Sequence, residues 1–255
     1  MRRVAGRLRT APDLQLMTRI MASIGVAALF ALFVVRFGRS AVRACDRARR
    51  ADWGRPWLNF LDGLNRIYCH RYHRLSTRFV KLPAHGPAIV VANHVSGLDP
   101  LLMIAACRRP LRFIIAKEQY ERRWLRWLFD AVGCIPVDRG ANPRAVLKHA
   151  RERLARGEVV ALFPQGGIHL DHHPPKPLKR GVLDLARDTG APVHCLRIEG
   201  VRGAGLTVGA VFRRSRARIS SHPPLYFEPN QPDTLLRNIA DCLTGHGVHG
   251  VGRLK

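Results

Sequence analysis

At 255 residues and 47% apolar composition, the chain can bury one sizeable core and carry an N-terminal appendage, while two full domains would be cramped. Its 43 Lys and Arg against 18 Asp and Glu leave a net charge of +25, a field that attracts phosphates in nucleic acid, anionic lipid or a phosphorylated substrate. Six cysteines lie far apart with no C-x-x-C pair, which argues against a zinc ribbon or a disulfide framework and for a reducing compartment.

From Ile20 to Val35 the segment IMASIGVAALFALFVV carries no charge and is closed by Arg19 and Arg36. At 1.5 Å per residue it makes a helix of about 24 Å, short of the ~30 Å hydrocarbon core, and snorkelling of the flanking arginines makes up much of the difference. The residues after it are Arg-rich and lack an A-x-A site, so a retained membrane helix or half-inserted anchor is favoured over a cleaved signal peptide. Arginine is denser after the segment than before it, which places the rest of the chain on the cytoplasmic side of an inner or cytoplasmic membrane.

Residues 56–75 put Trp57, Leu61, Leu64, Tyr68 and Tyr72 near one helical face, with basic residues over much of the remainder. Such a helix suits either a membrane interface or packing on the domain. CHRYH within it has a Cys-His-x-x-His spacing, read as a surface cluster and not as zinc. Beyond Lys81, short apolar runs predict strands at 88–92, 111–116, 159–163, 192–198, 206–212 and 217–220. Helical patterns fall at 99–108, 119–131, 143–156, 180–189 and 232–244. Alternating strands and helices predict an α/β fold, with a mixed sheet covered by helices and an N-terminal membrane-associating helical segment. The expected division is 1–80 for the anchor and amphipathic region and 81–255 for the α/β domain.

In VVANHVSGLDPLLM an apolar strand ends at Ala92, a turn carries Asn93, His94, Ser96 and Gly97, and Asp99-Pro100 opens a helix. Asp99 has the identity of an N-cap, with Pro100 at the first helical position. The same turn puts His94 at the lip of the sheet with a carboxylate five positions on, the chemistry of a general base for a hydroxyl.

NHVSGLD resembles the N-H-x-x-x-x-D signature of the glycerolipid acyltransferase family, which includes the 1-acylglycerol-3-phosphate acyltransferases. AKEQY (116–120), GCIPVDRG (133–140), LFPQGGIH (162–169), LKRGVLDLA (178–186) and GAPVHCLRI (190–198) resemble further family segments in the same order. The resemblance implies a glycerol-3-phosphate acyltransferase-like fold and direct acyl transfer to a hydroxyl. His94 would take the proton from the acceptor, and Asp99 would orient the imidazole. The donor would be the co-substrate acyl-CoA or acyl carrier protein, with no cofactor. Arg139, assisted by Lys117, would hold the acceptor headgroup, and Asn93, Gln165, Gly166, Gly167, Lys179 and Arg180 complete the expected substrate-binding set.

The chain departs from the family in one loop. Gln165 replaces a Glu, and Gly167-Ile168 replaces a Thr-Arg, which removes a cation from the expected phosphate site. Lys179 or Arg180 is positioned in sequence to restore that charge. The leading acceptor is a lysolipid, 1-acylglycerol-3-phosphate, in phospholipid biosynthesis at a membrane. An ornithine-type or glycosylated lipid lacking that phosphate is the alternative, and a catalytically degenerate, basic membrane-binding protein is a second. His169, Asp171, His172 and His173 have metal-ligating chemistry, but they lie on a Pro-rich connector without preorganisation, and no metal is expected. Nucleic acid is not an expected partner, because no aromatic-basic interleaving or recognition motif is present.

Overall fold

The computed structural model describes residues 12–77, 79–138, 143–174 and 176–245. They divide into two compact units, the first ending at Ala44 and the second beginning at Cys45. Helix α1 (Pro12–Ala48) supplies the first unit. It is long and apolar enough to cross a membrane, and Phe30, Phe33 and Phe37 are among its exposed side chains. The expected apolar segment 20–35 is thus the middle of a longer helix. Backbone i to i−4 bonding continues through the flanking arginines because helix formation does not require apolar residues.

The second unit is a seven-stranded sheet with helices on both faces. After α2 (Pro56–Arg71) come β1 (Ser76–Thr77), β2 (Ala88–Ala92), α3 (Asp99–Ala106), β3 (Leu111–Ala116), α4 (Lys117–Tyr120), α5 (Arg126–Ala131) and β4 (Ile135–Val137). Then follow α6 (Pro143–Ala155), β5 (Val159–Leu162), α7 (Gly181–Thr189), β6 (Val193–Glu199), β7 (Arg218–Ser221) and α8 (Pro232–Thr244). The strand order is β1-β7-β6-β2-β5-β3-β4, and every neighbouring pair is parallel except β6 with β7. β2 lies between β5 and β6, so its AIVVA run is apolar at both parities and wholly buried. Ala88, Val90 and Ala92 face a core built with α3, while Ile89 and Val91 face one built with α6, α7 and α8.

Three local expectations differ from the fold. Residues 206–212 form no strand. Gly203 and Gly205 have positive φ, and the chain leaves the sheet to bond with the turn after β2. The helix expected over 119–131 is interrupted between α4 and α5, where residues 122–125 make a turn. CHRYH is a surface cluster only in part: His70, Arg71 and Tyr72 are exposed, while Cys69 and His73 are fully buried and His73 Nε2 lies 2.8 Å from the Tyr68 hydroxyl.

Helix α2 buries its polar face. Asp62 accepts from Arg66 Nε at 2.7 Å, from the Arg50 N–H at 3.0 Å and from the Trp53 indole at 3.3 Å. Arg66 also donates to the carbonyls of Ala105 (2.8 Å) and Cys107 (2.6 Å), groups at the end of α3 that lack helical partners. Gly63 completes the packing, because a Cβ there would collide with the Cys45 carbonyl. Trp57, Leu64 and Tyr72 are left exposed on the opposite face.

Arg66→Ala leaves Asp62 buried and uncompensated and opens two carbonyls, so a loss of about 3–5 kcal/mol is expected in urea denaturation. An unchanged midpoint would refute the anchoring role. Burial holds the His194 and His73 imidazoles below their ordinary value near 6.5. The unfolded chain therefore binds more protons once the pH drops below that value, and stability is full above it and declines toward the folded values. His194→Leu should give a shallower loss of melting temperature on acidification; an unchanged slope would exclude His194 as a source.

Candidate active site

The site forms where β2 and β5, parallel neighbours, end at the same edge of the sheet, the usual position for a ligand crevice in such folds. The turn after β2 is organised by one carboxylate. Asp99 is fully buried, and its Oδ2 accepts from His94 Nδ1 at 2.8 Å, the Val95 N–H at 2.6 Å and the Ser96 N–H at 2.8 Å. Its Oδ1 accepts from the Ser96 hydroxyl at 2.8 Å. Asp99 is the first helical residue and not the N-cap; Leu98 occupies the cap without a side-chain bond. Asp99 therefore bonds back into the turn, with Pro100 following it in the helix.

An ionised carboxylate only accepts, so Nδ1 of His94 carries the proton and Nε2 the lone pair. The ring is 19% exposed. Phe163, one residue past β5, stacks on it at 4.0 Å and 15°. The same loop holds the His94 backbone from both sides. Gln165 Oε1 accepts the His94 N–H at 3.3 Å, and the His169 N–H donates to the His94 carbonyl at 2.7 Å. A third segment closes the turn from above: the Gly205 N–H donates to Val95 O at 2.8 Å, and the Gly97 N–H to Leu206 O at 3.0 Å. A side chain at Gly97 would run into the Thr207 carbonyl.

The remaining expected residues separate into those at this edge and those turned elsewhere. Gly166 has φ +72°, and the aliphatic end of Lys179 lies over it, so these two adjoin Gln165. Gly167 has open space where a Cβ would stand. Lys117 begins α4 at the end of β3 and lies 3.6 Å from Asp138 and 3.9 Å from Glu121. Arg139 lies outside the described residues. Asn93 is turned into the sheet, where its amide exchanges two bonds with the Ile198 backbone, at 2.7 and 2.9 Å. Arg180 pairs with Asp233 of α8 at 3.0 Å, both side chains being exposed. Asp171 pairs with Arg197, and His172 and His173 are exposed. Among the described residues, no three His, Cys, Asp or Glu side chains group as metal ligands.

Sequence reasoning did not single out Phe163, placed Ser96 in the turn without a bond to Asp99, and read 206–212 as a strand instead of a cover over that turn. The aromatic before Pro164-Gln165 carried a usable signal for the first. Nothing local marks the last, which comes from more than a hundred residues away.

Residues 69–199, just over half of the chain, match the family model described as Acyltransferase. The chain belongs to the Acyltransferase family. The matched region of this acyltransferase-family member contains β2, β5 and both loops around His94. It is 33% identical over 123 residues to the probable 1-acyl-sn-glycerol-3-phosphate acyltransferase of Mycoplasma pneumoniae, over 45% of each chain. It is 25% identical over 146 residues to the 1-acyl-sn-glycerol-3-phosphate acyltransferase of Bacillus subtilis, over 57% of this chain and 70% of that one. The chain thus spans less than half the length of the first relative. The crystal structure of the 1-acyl-sn-glycerophosphate acyltransferase of Thermotoga maritima superposes with a TM-score of 0.56 at 16% identity, covering 90% of this chain and 94% of that one. The fold is therefore that of the family: a mixed sheet covered by helices, with an apolar N-terminal helix.

Gly97→Ala should displace the 205–207 segment, with a loss of about 1–3 kcal/mol for the forced shift. Thermal denaturation at wild-type midpoint would show that this contact is not tight.

Proposed function

We propose that the protein is a membrane-associated O-acyltransferase that moves a fatty acyl group from acyl-CoA or acyl carrier protein to the hydroxyl of a lysolipid, with 1-acylglycerol-3-phosphate as the leading acceptor. The observation that carries this reading is the His94–Asp99 pair at the strand edge of a family member, with Nε2 free to accept a proton. Nε2 takes the hydroxyl proton as the acceptor oxygen attacks the thioester carbonyl. The C–O bond forms, the tetrahedral adduct expels the thiolate, and the imidazolium returns its proton to sulfur. Asp99 holds the tautomer and offsets the imidazolium charge. Phe163 fixes the ring plane, which limits the approach of the hydroxyl to one direction.

Arg139 and Lys117, the latter opening α4 directly after β3, are the groups we assign to the acceptor phosphate. Gln165 favours a second reading of the acceptor. Its Oε1 is engaged with the His94 backbone and it brings no charge, while Arg180 is held by Asp233. A lysolipid without that phosphate, such as an ornithine-type or glycosylated lipid, needs neither charge. The relatives named for 1-acylglycerol-3-phosphate support the first reading. Membrane association is supported by the apolar α1 and by the exposed Trp57, Leu64 and Tyr72 of α2. The arginine bias around α1 supports a cytoplasmic position for the catalytic domain.

His94→Ala, with its circular dichroism spectrum retained, should lose about 10²–10⁴-fold in transfer rate, the range typical of a positioned base. Turnover near wild type would remove the mechanism. Lysophosphatidic acid and lyso-ornithine lipid assayed side by side separate the two acceptors, and consumption of the second alone would overturn the first.

A further inference from the structure

Between the end of β6 at Glu199 and the start of β7 at Arg218, the chain runs over the α2 and α3 side of the sheet. Ala210 is fully buried in that core layer. The Tyr72 hydroxyl donates to the Phe212 carbonyl at 2.6 Å, and the Tyr68 hydroxyl donates to the carbonyl of Val211. The backbone of this excursion is therefore held, yet its largest apolar side chains point outward. Leu206 and Val208 are exposed, and Phe212 is 72% exposed.

The charge around these tips has one sign. No acidic residue occurs between Glu199 and Glu228, whereas Arg202, Arg213, Arg214, Arg216 and Arg218 are exposed. Among the described residues none of the five pairs with a carboxylate. Aliphatic and aromatic tips flanked by unpaired guanidinium groups match the boundary between headgroups and acyl chains of an anionic bilayer. The tips enter the apolar side, and the arginines take phosphate oxygens by paired hydrogen bonds. A nucleic acid would satisfy the arginines but offers nothing to Leu206 and Val208. An acidic protein surface has the same shortcoming.

We propose that residues 204–212 insert Leu206, Val208 and Phe212 into the headgroup boundary of an anionic bilayer. The same segment bonds Val95 and Gly97, so the His94 turn is carried at the lipid surface where a lysolipid acceptor resides. That last step rests on the acyl-transfer reading, while the insertion itself does not.

All six native cysteines are buried, so a cysteine placed at Val208 or Phe212 can be labelled selectively with an environment-sensitive fluorophore. Full-length Val208→Cys and Phe212→Cys are compared with Arg237→Cys, an exposed position on α8 on the other face of the sheet. In phosphatidylglycerol vesicles containing nitroxide-labelled lipid, the probes at 208 and 212 should shift to the blue and lose emission by quenching, while the probe at 237 should do neither. Probes at 208 and 212 as water-exposed as at 237 would overturn the proposal. A blue shift that nitroxide lipid does not quench would also overturn it, because a protein surface or a second copy would then cover the loop. The measurement reads position and not turnover. Its failure leaves the acyl-transfer reading standing, and an active His94→Ala would leave its result unchanged.

Discussion

The structure around the His94 turn depends on one buried carboxylate. Removing a charge from water costs several kcal/mol unless donors replace the lost hydration, and Asp99 receives four donors within a turn of six residues. Two are backbone amides, which fix the path of the chain between β2 and α3. One is the Ser96 hydroxyl, which ties that path to its own side chain. The fourth is the His94 ring, whose reactive nitrogen is thereby aimed. Turn shape, tautomer and ring direction are thus consequences of satisfying a single ion, and none can change without exposing it. The loop after β5 completes the arrangement by stacking Phe163 on the ring and bonding both ends of the His94 peptide unit.

A second constraint concerns which side of α2 meets the core. Amphipathic helices of water-soluble domains bury their apolar stripe; α2 buries Asn59, Asp62 and Arg66 and exposes Trp57, Leu64 and Tyr72. That buried polar set is tolerated because Asn59, Asp62 and Arg66 each have partners, with Arg66 closing the end of α3. An outward face of tryptophan, leucine and tyrosine is unfavourable in water and favourable at an interface. The interior ion pair and the exterior aromatics therefore describe one helix selected for two surroundings.

Much of this was legible in the sequence. Uninterrupted apolar runs such as AIVVA identify strands buried on both faces, and the N-H-x-x-x-x-D spacing places His94 and Asp99 within reach across one turn. Other features were hidden for definable reasons. β1 and β4 are too short to carry a period, and Pro136 disguises the second. The apolar pattern of 206–212 imitates a strand because a segment that meets lipid and one that meets a core share the same composition. Asn93 lies beside His94 in sequence but points into the sheet, a parity that spacing at the end of a strand does not reveal. The inward face of α2 defeats any rule that sends charge to the surface, since its partners come from α3, some forty residues on.

The contact between Gly97 and Thr207 has a consequence for how the protein is made. A ribosome releases the chain from its N-terminus, and early segments fold as soon as their partners have emerged. The His94 turn is among the earlier parts of the second unit to appear, but β6 on one flank of β2, the Ile198 backbone that secures Asn93 and the 205–207 cover all come about a hundred residues later. While those residues are still being synthesised, the central strand has an open edge and the turn lacks its lid. A nascent chain therefore carries the histidine and aspartate long before it can hold them in working geometry, and the site is among the last features of the unit to mature.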